Sequence, residues 1–266
     1  MRFCFGAVAV GFCLALLPPV GASAQVVAQS GGCILDNCRD RTPVAPAPRA
    51  NEAPPPAGNR SPVVAAPSAR SLPAVAPGDF DFYVLSLSWS SGFCAGASSA
   101  INSDQCNIGS HLTFVVHGLW PQFEQSFPSN CDTSAPQPSR ADLALTHGVY
   151  PSEGLARYEW RKHGTCTGKT PGDYFSDVKF ARDQVKIPPE LLQLQSDEQI
   201  APIDIQREFQ AANPQLRPGM MAVGCQRNLL QEVRICLTKD LGAFRTCGEV
   251  ARGSCRTRQI TVPAPR

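Results

Sequence analysis

The chain has 266 residues, 43% hydrophobic and 17% charged, with 24 lysines and arginines against 22 aspartates and glutamates, a formal charge of +2. That near balance excludes a protein that coats nucleic acid by bulk electrostatics, which would carry a basic stripe and a large positive excess. Contact with a polyanion has to be local.

Arg2 precedes the apolar run Phe3 to Leu17, followed by Pro18-Pro19 and then Ala22-Ser23-Ala24, the small-x-small pattern cut before Gln25. Residues 1–24 therefore read as a signal peptide. The mature chain is expected outside the cytoplasm, in the periplasm if the cell is bacterial and extracellular otherwise. The apolar run is shorter than the ~20 residues a bilayer core requires and no later stretch reaches that length, so no membrane association is expected after processing. Cys13 lacks the context of a lipid-attachment site.

Of 12 cysteines, Cys4 and Cys13 leave with the signal peptide. The remainder form an even set in an oxidising compartment and read as a disulfide framework. Cys33 and Cys38 can close a small loop, and Cys94 can meet Cys106. Cys225, Cys236, Cys247 and Cys255 suit two nested bridges, Cys225–Cys255 around Cys236–Cys247, although spacing alone does not fix connectivity. With no C-x-x-C, a metal-binding role for these thiols is disfavoured.

After the signal peptide, residues 25–78 hold the Cys33–Cys38 loop and a stretch dominated by proline, alanine, serine and valine, with Pro54-Pro55-Pro56 at its centre. Such composition makes a semi-extended linker. The folded domain is expected over residues 79–261, with 262–266 as a tail. Phe80 to Trp89 is rich in aromatic and β-preferring residues and reads as a central strand. Leu112 to His117 reads as a second strand that ends where the chain turns through Gly118. Pro151-Ser152-Glu153 starts a helix that runs to Gly164 and aligns Glu159, Lys162 and His163 on one face. Helices follow from Asp173 to Val185 and from Pro202 to Ala212, then strands over Met220 to Val223 and Glu232 to Thr238. Strands, then helices, then strands again define an α+β class.

Two segments concentrate the chemistry. One is His117-Gly118-Leu119-Trp120-Pro121; the other is Glu159-Trp160-Arg161-Lys162-His163-Gly164-Thr165-Cys166. In their residues and order they resemble the two active-site segments of the ribonuclease T2 family, and the resemblance extends over roughly residues 80 to 256. It implies an antiparallel sheet packed against helices with a cleft across the sheet, and it pairs Cys131 with Cys166. It also implies an exported, metal-independent endoribonuclease with no cofactor, acting on single-stranded RNA with low base specificity, as a monomer. His163 would be the base, His117 the acid, and Glu159 with Lys162 the stabilisers of the transition state.

The chemistry fits those residue types. RNA carries its own nucleophile, and in-line attack by the 2′-hydroxyl needs one group to take a proton and another to give one to the departing 5′-oxygen. Two imidazoles can do both near neutral pH. An ammonium and a carboxyl can then stabilise the charge on phosphorus. The first product is a 2′,3′-cyclic phosphate, hydrolysed afterwards to a 3′-phosphate, and DNA should resist for want of the hydroxyl. From the residues alone the two histidine roles can be exchanged.

Bland readings stand beside these. Glu159 and Lys162 could be an ordinary helix ion pair, Trp120 could be core rather than a surface on which a base stacks, and His147 and His111 could be structural. Where the family commonly has a histidine before the glutamate, this chain has Tyr158, whose hydroxyl offers a neutral hydrogen bond instead. That change motivates an alternative, a non-catalytic binder of RNA or protein on the same scaffold. Tyr158, Trp120 and His147 are the candidate substrate contacts. A zinc hydrolase built on His117, His147 and His163 lacks any H-E-x-x-H spacing.

Overall fold

The computed structural model describes residues 75–96, 104–107 and 109–265. The segment expected to be a signal peptide, the Cys33–Cys38 pair and most of the proline-rich segment lie outside these residues. In chain order the elements are β1 (Phe82–Trp89), α1 (Ser90–Gly96), β2 (Phe114–Gln122), α2 (Arg140–Ala144), α3 (Glu153–Lys162), α4 (Pro171–Asp183), α5 (Pro189–Leu192), β3 (Glu198–Ile200), α6 (Pro202–Ala212), β4 (Met221–Gln226), β5 (Leu229–Thr238), α7 (Gly248–Arg252) and β6 (Ile260–Val262).

One six-stranded sheet organises them in the order β2-β1-β5-β6-β3, with β4 on β5. All pairings are antiparallel except a single parallel bridge between β5 and β6. Strand β1 lies between β2 and β5 and is buried along its whole length. Its Tyr83, Leu85, Leu87 and Trp89 join the main core with Trp160 of α3, Tyr174, Phe175 and Val178 of α4, and Ile205 and Phe209 of α6. Burying a side chain such as Leu87 stabilises the fold by ~1.5–3 kcal/mol. The opposite face carries a smaller cluster of Phe82, Val84, Trp120, Cys236 and Cys247. The class is α+β, as the element pattern implies.

Local sequence explains the helix starts. Ser152 caps α3, its hydroxyl accepting the Leu155 N–H at 3.2 Å. Thr170 caps α4 by accepting from Asp173 N–H, with Pro171 at the first helical position. That cap puts the start of α4 two residues before the expected Asp173. α6 runs from Pro202 to Ala212, the expected range.

Two expectations need correction. The second strand does not stop at His117; β2 continues to Gln122, because β1 offers it partners as far as Phe82. Residues 262–266 are not simply a tail. Val262 is in β6, Trp89 Nε1 donates to the Pro263 carbonyl at 2.9 Å, and the Ala264 N–H donates to Asp197 at 2.9 Å. At the other end Gly78 is already held, its N–H on the Cys166 carbonyl at 2.9 Å.

Four disulfides join Cys94–Cys106, Cys131–Cys166, Cys225–Cys255 and Cys236–Cys247 among the described residues. They are the pairs set out above, and they fit an exported protein. No helix among the described residues is long and apolar enough to cross a membrane.

Candidate active site

The register of β1 and β2 shifts at one point. Ser86 faces Gly118 and Leu87 faces Val116, so His117 is an extra residue on β2. A bulge of this kind re-aims a side chain out of the regular alternation. It leaves the His117 side chain 13% exposed, with Nε2 3.5 Å from Oε1 of Glu159. Nδ1 lies 3.8 Å from Oε2 of Glu232.

Glu159 comes from α3 and is 1% exposed. Its Oε2 accepts the Trp120 indole N–H at 2.7 Å. Gly118 makes that contact possible, since a Cβ there would lie 2.1 Å from Glu159 Oε2 and 2.3 Å from Trp120 Nε1. The backbone beside it is fixed by Tyr174, whose hydroxyl donates to the Leu119 carbonyl at 3.1 Å.

Helix α3 ends where the second motif predicts. His163 is the C-cap, its N–H on the Glu159 carbonyl at 2.8 Å. The Lys162 carbonyl accepts from Asn130 N–H at 2.7 Å, and the neighbouring Cys131 is bridged to Cys166 just beyond the helix. Lys162 is nearly buried and its Nζ donates to the Tyr158 hydroxyl at 3.1 Å. Tyr158 therefore touches the site through the ammonium.

Both imidazoles lie against one indole: ring centroids are 5.2 Å apart for His117 and Trp120 and 5.4 Å for His163 and Trp120. His163 is 1% exposed, and Phe127 flanks its other side at 6.3 Å. The cleft expected across the sheet is thus closed over His163 here. Burial above all, then the Lys162 ammonium and then His117, hold the His163 imidazole well below its usual range, so it is neutral.

His117, in contrast, has a carboxyl oxygen near each ring nitrogen, Glu159 on one side and Glu232 on the other. Glu232 is anionic: burial alone would push its carboxyl up, but the Arg234 guanidinium, His117 and the Ser86 hydroxyl outweigh that and hold it at about 2. Arg234 binds Glu232 Oε1 through Nε at 2.8 Å and a terminal nitrogen at 2.7 Å. Its guanidinium also stacks over Trp120 at 5.1 Å.

The sequence-derived candidates divide accordingly. His117, Glu159, Lys162 and His163 converge, with Tyr158 beside them. Trp120 is 2% exposed and capped by Arg234, which leaves no free face for a base; its role here is packing and holding Glu159. His147 is 69% exposed and pairs with Glu153 at 3.6 Å, a surface contact at the start of α3. Sequence reasoning missed Glu232 and Arg234. Their signal was two opposite charges at alternate positions in a strand otherwise made for burial.

A sheet with helices on its apolar face, and a histidine pair gathered with a carboxyl group and an ammonium around Trp120, defines a protein equipped for proton transfer around an anion. The sequence profile of the Ribonuclease T2 family matches residues 80–247. A ribonuclease of Aeromonas hydrophila is 34% identical over 177 residues, 65% of this chain and 78% of that protein. Ribonuclease I of Escherichia coli is 30% identical over 158 residues, covering 45% of this chain and 59% of its own length. Among solved structures, RNase NT in complex with 5′-AMP superposes with a TM-score of 0.57 at 21% identity, over 70% of this chain and 98% of that one. The chain belongs to the Ribonuclease T2 family.

Proposed function

We propose that the protein is an exported endoribonuclease that cuts single-stranded RNA by attack of the 2′-hydroxyl, releasing a 2′,3′-cyclic phosphate that it then hydrolyses to a 3′-phosphate. The observation that carries this reading is the opposite electrostatic setting of two imidazoles on one indole. His163, held neutral by burial and by Lys162, is the base that takes the 2′-hydroxyl proton. His117, placed between two carboxylates, is the acid that protonates the departing 5′-oxygen. Lys162 and Glu159 stabilise the phosphorane between them. Each proton transfer is typically worth ~10²–10⁴ in rate.

Access to His163 needs displacement of the cover to which Phe127 belongs. The scheme uses no metal ion, and a low base preference is carried over with the family resemblance. The names of the relatives and the nucleotide in the RNase NT complex support RNA as the substrate.

The test is product-end analysis after RNA digestion by the mature protein in excess chelator. Cyclic phosphate ends that vanish in His163→Ala support the proposal; wild-type protein that yields none overturns it. RNA bound equally well by wild type and by a double alanine variant at 117 and 163, with no cleavage by either, would instead identify a binding protein.

A further inference from the structure

We propose that Glu232 is a positioning residue for His117: from β5 it holds the Nδ1 side of the imidazole, so that Nε2 faces Glu159 and the scissile phosphate with its proton in place. The proposal rests on the assignment of His117 as the acid. Glu232 lies behind the ring, on the opposite nitrogen from Glu159, and so keeps its hold when a phosphate takes up Nε2.

Three observations carry it. First, the carboxylate is fixed before any substrate arrives. Oε2, the atom 3.8 Å from Nδ1, also accepts the Ser86 hydroxyl at 2.7 Å. Oε1 is held by two nitrogens of Arg234. A contact of 3.8 Å is an ion pair that can shorten to a hydrogen bond, as catalytic contacts commonly do once substrate binds.

Second, the fold reserves space for it. Gly224 faces Glu232 across β4 and β5, and a Cβ at 224 would lie 2.8 Å from Glu232 Cγ and 3.2 Å from Oε1. The neighbouring strand thus gives up a side chain to admit the carboxylate. Third, burying an ion pair seldom adds net stability, because desolvation offsets the attraction. A carboxylate 3% exposed against a histidine that the bulge has pushed towards it points to a task other than stability.

The charged and titratable groups around His117 are Glu159 and His163 from the α3 end and Glu232 with Arg234 from β5, while β1 contributes the Ser86 hydroxyl. With its carboxyl held at about 2, Glu232 stays anionic across the working range of a histidine. Removing that anion should therefore lower the pH at which His117 loses its proton.

The experiment compares two substrates in wild type, Glu232→Gln, Glu232→Asp and Ser86→Ala. One is uridylyl-adenosine, whose 5′-alkoxide needs an acid. The other is uridine 3′-(4-nitrophenyl phosphate), whose phenolate leaves without one. Glu232→Gln should lose about 10- to 100-fold in kcat/KM on the dinucleotide and less than about threefold on the aryl ester, the range expected when general acid catalysis is impaired but not abolished. The alkaline limb of its pH profile should move to lower pH, and Glu232→Asp should recover part of both effects. Equal losses on the two substrates with an unmoved alkaline limb would overturn the proposal, since that is how a structural role behaves. Ser86→Ala, which keeps the carboxylate and its arginine, should show the same selective loss at a few-fold; if Glu232→Gln does not fold, the absence of selectivity in Ser86→Ala overturns the proposal alone. A wild type inert on both substrates would fail at the earlier step, the ribonuclease assignment, and take this inference with it.

Discussion

Strand β1 sends Tyr83, Leu85, Leu87 and Trp89 to one side of the sheet and Phe82, Val84, Ser86 and Ser88 to the other, and the two sides follow different rules. The first is apolar but for tyrosine hydroxyls such as those of Tyr83 and Tyr174, and it packs against α3, α4 and α6. The second begins apolar around Phe82, Val84, Trp120 and Cys236 and then turns polar, with Ser86 and Glu232 buried, His117 nearly so and Arg234 partly exposed. Apolar burial contributes stability; buried charge costs desolvation and is kept where its geometry is used. Substitutions on the two sides should therefore move different observables.

The largest effect belongs to the polar side. His117→Ala and His163→Ala should each lower the initial rate of RNA cleavage by ~10²–10⁴, with near-UV circular dichroism retained. On the apolar side Leu87→Ala should cost ~2–5 kcal/mol in urea denaturation while the activity per folded molecule stays as in wild type. A variant of either kind that moved the other observable would break the division.

Acid should find the polar side too. The folded His163 takes up a proton less readily than the unfolded chain does, so stability is complete above its ordinary value near 6.5 and falls as the pH drops below it. The folded Glu232 carboxyl lies at about 2 against an ordinary 4.5, so a further loss on the order of 3 kcal/mol follows between those values. Urea titrations from pH 7 to about pH 2 check both, and Glu232→Gln should flatten the lower part of the curve.

Smaller steps sharpen the picture. Trp120→Phe puts a smaller ring in place of the buried indole and removes the N–H on Glu159, a hydrogen bond worth ~1.5–3 kcal/mol, so the melting temperature should fall and kcat should drop about ten- to a hundredfold as the Glu159 carboxyl loses its hold. Tyr158→Phe removes only the acceptor for Lys162, and a few-fold change in KM or kcat is expected from a contact worth ~0.5–1.5 kcal/mol.

How far the sequence reveals this differs by element. β1, α3, α4 and α6 are long enough for their periodicities to show, and both motifs sit at places that local chemistry marks: a strand run before Gly118 and a helix end before Gly164. α1, α2, α5 and α7 are seven residues or fewer, too short for a 3.6-residue repeat to declare itself. The bulge at His117 depends on the register of two strands, which no single stretch of chain encodes. Glu232 and Arg234 were visible only as charges in a strand; their tie to His117 depends on β1 lying between β2 and β5. Burial of His163 under Phe127 is likewise a property of the assembled loop.

Gly118 carries a consequence for how this protein can change over generations. Its α-carbon faces the Glu159 oxygen and the Trp120 nitrogen across a gap that a single methyl would overfill. Every one of the other nineteen amino acids brings at least that methyl, so any exchange of residue here forces the Glu159 carboxyl or the Trp120 indole out of its place.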